Sequence, residues 1–211
     1  MMSGPLNRRE EEQQMDRVGR LPPGQSLTQK FPVLHYGGVP QVDTETWKFQ
    51  VWGAVEEPVT WTWEEFSQLP RAEIKMDVHC VTRWSMFDTI WAGVSPGQLV
   101  ESEIIKPRED ARFVLQHARG GYTTNLPLEI LLQKNFLLAT HFNGERLTPD
   151  HGYPLRGVVG HIPGKNLTTP YFWKGAKWLI GLEFLTEDQM GFWEEAGYHN
   201  EGDVWKEQRR R

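Results

Sequence analysis

Cysteine is nearly absent: Cys80 is the only one in 211 residues. A lone thiol excludes an intramolecular disulfide and a Cys-rich zinc site, which leaves a small buried hydrophobe or a reactive or metal-binding thiolate. Long apolar runs are also missing. No segment reaches the roughly 20 residues that cross a bilayer, so a membrane span is not expected. Nor is there a basic excess. The formal charge of −5 removes the general electrostatic case for nucleic acid, which needs a basic face. No internal repeat is present. Arg8-Arg9 is followed by Glu10, Glu11 and Glu12 where the apolar core of an export signal should stand. A cytoplasmic location is therefore expected, in keeping with a reduced thiol.

What is present divides into an arm, one domain and a tail. The charged run of residues 1–20 reads as a solvated, partly helical arm, closed by Leu21-Pro-Pro-Gly24. Residues 21–190 are long enough for one well-buried domain, and residues 191–211 read as a tail that packs as a short helix before a basic, frayed end. Lys48 to Val55 alternates like a half-buried strand, and Thr62-Trp-Glu-Glu65 is a capping box opening a short helix. Ile74 to Val81 reads as a strand that delivers Cys80 at its end. Ala111 to Ala118 and Trp178 to Phe184 are further strands, Pro127 to Gln133 a short helix, and Asn143-Gly144 a hairpin turn. Short strands with brief helices between them predict an α+β fold.

The thiol has informative neighbours. His79 precedes it, and Thr82, Arg83 and Ser85 follow, so donors and a fixed positive charge are expected beside it. A nearby cation lowers a thiol pKa, and only the thiolate is a nucleophile or a good ligand for a soft metal.

Four separated segments between Phe31 and Thr186 then carry a resemblance. They are His79-Cys-Val-Thr-Arg-Trp-Ser-Met86 with Ile90-Trp-Ala-Gly-Val94, Tyr122-Thr-Thr-Asn-Leu-Pro-Leu128, Leu137 through Asp150-His-Gly-Tyr-Pro-Leu-Arg156, and Tyr171-Phe-Trp-Lys-Gly-Ala-Lys-Trp178. In this order and spacing the chain resembles the molybdopterin-binding domain of the sulfite oxidase family. The resemblance implies a mixed, β-rich single-domain fold, a molybdenum-molybdopterin cofactor, Cys80 as the metal's ligand, and oxygen-atom transfer on a small-molecule substrate. It implies cofactor contacts from His79, Cys80, Thr82, Thr123, Asn125, His151, Arg156, Lys174, Gly175 and Lys177. Arg83 and Tyr122 are expected to orient substrate beside Cys80.

One stretch departs from the sulfite oxidases themselves. They usually follow the cysteine with Ala-Gly-Asn-Arg-Arg, whereas this chain has Val81-Thr-Arg-Trp-Ser85, nearer the Cys-Val-x-x-Trp-Ser-Met pattern of the methionine-sulfoxide reductase catalytic subunit. With Arg83 as the one nearby cation, a neutral S-oxide or N-oxide is expected over anionic sulfite. The chain shows no haem or immunoglobulin-like domain, so electrons are expected to pass through a separate partner. Two rival readings stand beside this one. A non-catalytic carrier of the cofactor would keep the pterin site without turnover, and a metal-free hydrolase would use Cys80 with a histidine. His117, His141 and His161 lack ligand spacing, so a zinc centre is not expected.

Overall fold

The computed structural model describes residues 7–210. Its elements, in chain order, are α1 (Arg8–Arg17), β1 (Ser26–Leu27), β2 (Lys48–Gly53), β3 (Val59–Thr62), α2 (Trp63–Ser67), β4 (Arg71–His79), β5 (Trp84–Val94) and α3 (Pro96–Glu101). There follow β6 (Phe113–Ala118), β7 (Thr123–Pro127), α4 (Leu128–Leu132), β8 (Phe136–Phe142), β9 (Glu145–Arg146), β10 (Arg156–Val159), β11 (Leu179–Leu185) and α5 (Phe192–Glu195). Single 3₁₀ turns at Pro149–His151 and Phe172–Lys174 lead into the site.

Two sheets organise the chain. A six-stranded sheet runs β1-β5-β8-β10, with β4 on β5 and β9 on β8; a five-stranded sheet runs β3-β2-β11-β6-β7. In the second, β11 lies parallel to β2 and antiparallel to β6. Strand alternation puts successive side chains on opposite faces, and the core follows that rule. Leu138 and Phe136 join the main cluster with Phe49, Val114 and Leu182 of the other sheet. Leu137 and Ala139 face the opposite way, into a second cluster with Met76, Val78, Trp91 and Val158. A third, smaller cluster of Tyr171, Trp173 and Val204 receives Val81, Trp193 and Tyr198.

Local signals are realised where they were read. Thr62 caps α2 reciprocally: Glu65 N donates to Thr62 Oγ1 at 3.3 Å and Thr62 N donates to Glu65 Oε2 at 2.8 Å. Asn143 and Gly144 take φ of 49° and 84° between β8 and β9, the left-handed pair that matches strand twist in a tight hairpin. The arm contains α1, capped by Asn7, and is anchored where Arg20 pairs with buried Asp77 (2.6 Å). The expected frayed end is overturned. Packing continues past the short helix to Arg210, with Val204 fully buried and Tyr198 bridged to Arg210. Aromatic side chains outweigh the tail's basic character, because burying them yields more than leaving the segment solvated.

Candidate active site

Cys80 sits in the tight turn between β4 and β5. Cys80 N donates to Trp84 O (2.9 Å) and Arg83 N to Cys80 O (3.0 Å), with Arg83 at φ 73°. The thiol is 9% exposed and lines a cavity of about 470 Å³. Thr82 Oγ1 donates to its sulfur at 3.2 Å. Burial pushes the thiol pKa up, and the Thr82 hydroxyl, neighbouring backbone and the Arg209 charge oppose that rise. The expected depression by His79 and Arg83 is therefore overturned: burial outweighs the opposing donors and holds the Cys80 thiol above its ordinary pKa.

Three cations line the same cavity, Arg119, Arg156 and Lys177, and among the described residues no carboxylate does. Arg156, first residue of β10, is 3% exposed. Its Nη1 donates to His151 O at 3.0 Å, its guanidinium lies 4.4 Å from the Phe172 ring centroid, and no carboxylate among the described residues pairs with it. Burial draws its pKa down to about 9, so it keeps its charge at neutral pH. A buried, charged arginine without an anionic partner is costly. Lys177 Nζ donates to the carbonyls of Leu34 (2.8 Å) and Asp150 (2.9 Å), and burial, aided by Arg156, lowers its pKa to about 7. His151 stacks on Phe31 with ring centroids 3.9 Å apart, and burial with the Arg156 and Lys177 charges lowers it to about 4.

Gly175 also lines the cavity, and its conformation has a packing cause. A Cβ there would stand 2.3 Å from Gly157 O. Only glycine lets this backbone lie against β10, and that approach sets Arg156 and Lys177 on one wall. Tyr122 lines the cavity with its hydroxyl donating to Trp173 O at 2.9 Å; burial and then Glu194 hold its pKa well above the ordinary phenol value.

Five expected contacts lie elsewhere. His79 precedes Cys80 on an extended strand and points to the other face, buried, with Nδ1 2.8 Å from Ser85 Oγ. Arg83 is carried outward by its left-handed turn conformation, and its Nη1 lies 3.4 Å from Gly24 O, away from the cavity. Thr123 lines a neighbouring surface hollow instead. Lys174, 1% exposed, is paired with fully buried Glu194 at 2.7 Å and donates to Asn125 Oδ1 at 2.8 Å. Asn125 in turn donates to Asp188 (2.6 Å) and Asn200 (2.8 Å). Both serve a buried polar network beneath the wall.

Residues that sequence reasoning did not single out complete the cavity. The irregular stretch from Phe31 to Pro40 supplies one side, Arg119-Gly120-Gly121 a second, and Phe192, Trp193 and Tyr198 an aromatic third. The preceding glycine-rich turn signal at 119–121 and the aromatic density after Gly191 were the available pointers.

A cavity lined by one thiol, two arginines, a lysine and, among the described residues, no carboxylate suits an anionic cofactor and a soft metal. The chain belongs to the family described as the oxidoreductase molybdopterin binding domain, whose model matches residues 36–193. Over 197 residues it is 48% identical to the "Uncharacterized oxidoreductase YuiH" of Bacillus subtilis (strain 168), covering 93% of this chain and 94% of that one. It is 28% identical to the protein-methionine-sulfoxide reductase catalytic subunit MsrP of Campylobacter jejuni, covering 72% of this chain and 53% of the relative. Against the NADPH nitrate reductase of Emericella nidulans the identity is 27%, over 77% of this chain and 21% of the longer enzyme. The sulfane dehydrogenase SoxCD from Paracoccus pantotrophus has the same fold, with a TM-score of 0.60, 19% identity, and coverage of 72% of this chain and 41% of that one.

The family's cofactor is the molybdenum-molybdopterin group, and the residues present fit it. Cys80 offers a thiolate to a soft metal, and Arg156 is a buried cation still lacking an anion. Cys80 would hold the metal, and Arg156, Lys177 and the glycine-lined backbone would hold the phosphate and pterin edges.

Proposed function

We propose that the chain is an oxidoreductase of sulfite oxidase type that removes an oxygen atom from a small, neutral S-oxide or N-oxide. The observation that carries this reading is the single thiol in a cavity with unpaired Arg156. When bound, the molybdenum cofactor supplies the two-electron redox change that oxygen-atom transfer requires. This chain's residues do the rest. Thr82 holds the sulfur of Cys80 in place by its hydroxyl. Tyr122 keeps its proton across the physiological range and donates it to Trp173 O, which fixes its ring in the cavity wall. Trp84, Trp173 and Trp193 exclude water from the space beside the thiol.

The substrate preference is supported by that aromatic lining and by the methionine-sulfoxide reductase subunits among the relatives. The expectation of Arg83 as the one nearby cation is overturned, because that side chain is outside the cavity while Arg119, Arg156 and Lys177 line it. Electrons would come from a separate partner, as the word subunit in those relatives' names suggests. Among the described residues no helix is long and apolar enough to cross a membrane. A cytoplasmic location belongs to this proposal and is checked by cell fractionation.

Protein from a host competent in cofactor synthesis should hold about one molybdenum and one pterin per chain. It should reduce a sulfoxide or N-oxide with a dye donor more efficiently than it oxidises sulfite, and Cys80→Ser should keep the pterin while abolishing turnover. Pure protein without molybdenum removes the reading; sulfite as the better substrate removes the oxide preference.

A further inference from the structure

The end of the chain returns to the turn that carries Cys80. Tyr171 N donates to Gly202 O (2.7 Å) and Val204 N to Thr169 O (3.1 Å), and this course delivers Arg209. The Arg209 side chain is 13% exposed. Its Nη1 donates to the carbonyl of Val81 at 2.7 Å, 128 positions away in sequence. Its Nη2 lies 3.3 Å from Pro23 O and 3.4 Å from Gly24 O. The guanidinium lies 4.8 Å from the Tyr171 ring centroid. From another direction Gln25 Nε2 donates to Cys80 O at 3.0 Å. Two consecutive carbonyls of the turn are thus held by side chains remote in sequence, one of them a guanidinium whose Nε lies 3.6 Å from the half-exposed carboxylate of Glu207, on the side away from Val81 O.

We propose that Arg209 is a positioning residue for the metal: it fixes the Val81 carbonyl next to the thiolate ligand and sets a fixed positive charge behind that ligand. The proposal rests on reading Cys80 as the metal's ligand. A cation beside a metal-thiolate group favours the state with more electrons, because that state is the more negative. A fork that grips carbonyls from two segments is a geometry lysine cannot reproduce.

The test uses the full chain with Arg209→Gln and Arg209→Lys. In loaded protein, Arg209→Gln should change the reduced-to-oxidised metal ratio at fixed applied potential about tenfold toward oxidised, about 59 mV for a one-electron step. Arg209→Lys should keep most of that ratio. In cofactor-free protein Arg209→Lys, which keeps the charge but not the fork, should alkylate Cys80 with iodoacetamide several-fold faster than the parent, since the tether on Val81 is lost; one cysteine makes the label unambiguous. This second readout holds even if Arg209→Gln takes up no cofactor. Unchanged potential and unchanged alkylation, with only the melting temperature moved, overturn the proposal and leave Arg209 as a tail anchor. The underlying reading fails separately, if Cys80→Ser leaves the thiolate-to-metal absorption band intact.

Discussion

Replacing Arg156 by methionine should move stability and cofactor binding in opposite directions. The guanidinium is 3% exposed and lies among the rings of Phe172 (4.4 Å), Trp91 (5.6 Å) and Phe31 (5.9 Å). Burial takes its pKa from 12.5 to about 9, which costs the charged form on the order of 5 kcal/mol at about 1.4 kcal/mol per pH unit. Against that ceiling stand the charged hydrogen bond to His151 O, worth about 1.5–3 kcal/mol, and ring contacts worth about 1–2 kcal/mol. Methionine is of similar length and packs well against aromatics. The cofactor-free variant should therefore range from unchanged to about 2 kcal/mol more stable than the parent, whereas truncating an ordinary buried side chain costs about 2–5 kcal/mol.

Loaded protein should show the reverse. Losing one charge-assisted contact to an anionic cofactor costs about 1.5–3 kcal/mol, roughly 10- to 150-fold in affinity. Binding stabilises the folded state by mass action, so the parent should gain far more from loading than the variant. Urea denaturation of protein from a cofactor-deficient host, followed by pterin analysis of protein from a competent host, reads both halves. A cofactor-free variant destabilised by more than about 2 kcal/mol, or one retaining the parent's pterin content, refutes the assignment of Arg156 as a cation held in wait for an anion.

Lys177 makes a pH-dependent prediction. Its folded pKa is about 7 against 10.5 as a free side chain, so from pH 7 to 10.5 the unfolded chain binds more protons, and its contribution to stability rises with pH over that window. In cofactor-free protein, Lys177→Met should flatten the rise between urea midpoints at pH 7 and 9; an unaltered slope contradicts the lowered pKa. Lys174 makes a structural one. Breaking its pair with Glu194 by Lys174→Met should cost about 3–5 kcal/mol, with much of the loss restored by adding Glu194→Gln. Pterin per folded chain should stay near parental in both variants, and its selective loss would return Lys174 to the cofactor.

Local signals were legible because their causes are local. The Thr62 box and the Asn143-Gly144 turn need only residues within three positions of each other, and both formed. The Cys80 neighbourhood was legible only in part. Adjacent strand residues face opposite ways, so His79 and Cys80 could not both reach one cavity, and that inference was available from the sequence. The fate of Arg83 was not, since it turns on a left-handed backbone at a residue that is not glycine. Lys174 and Lys177 sit three apart in one segment, and what separates their roles is Glu194, twenty positions on in the tail. The stretch from Phe31 to Pro40 has no periodicity to mark it. Only the folded chain brings it against His151 and Lys177.

The charge pattern of the cavity bears on what the enzyme can accept once loaded. A chain of net charge −5 places Arg119, Arg156 and Lys177 around one cavity with no lining carboxylate among the described residues. Such a concentration of positive charge fits an anionic cofactor, and binding one would neutralise much of it. The walls left to a substrate would then be the rings of Trp84, Trp173, Trp193 and Tyr198. Rings give little to a dianion that must shed its water, but they suit an apolar body that carries a polar oxide bond. Arg83, redirected to Gly24, cannot restore the missing charge without opening the turn that holds Cys80. The proposed oxide preference thus depends on neutralisation of the cavity's cations, and the steady-state comparison with sulfite tests whether that neutralisation is complete.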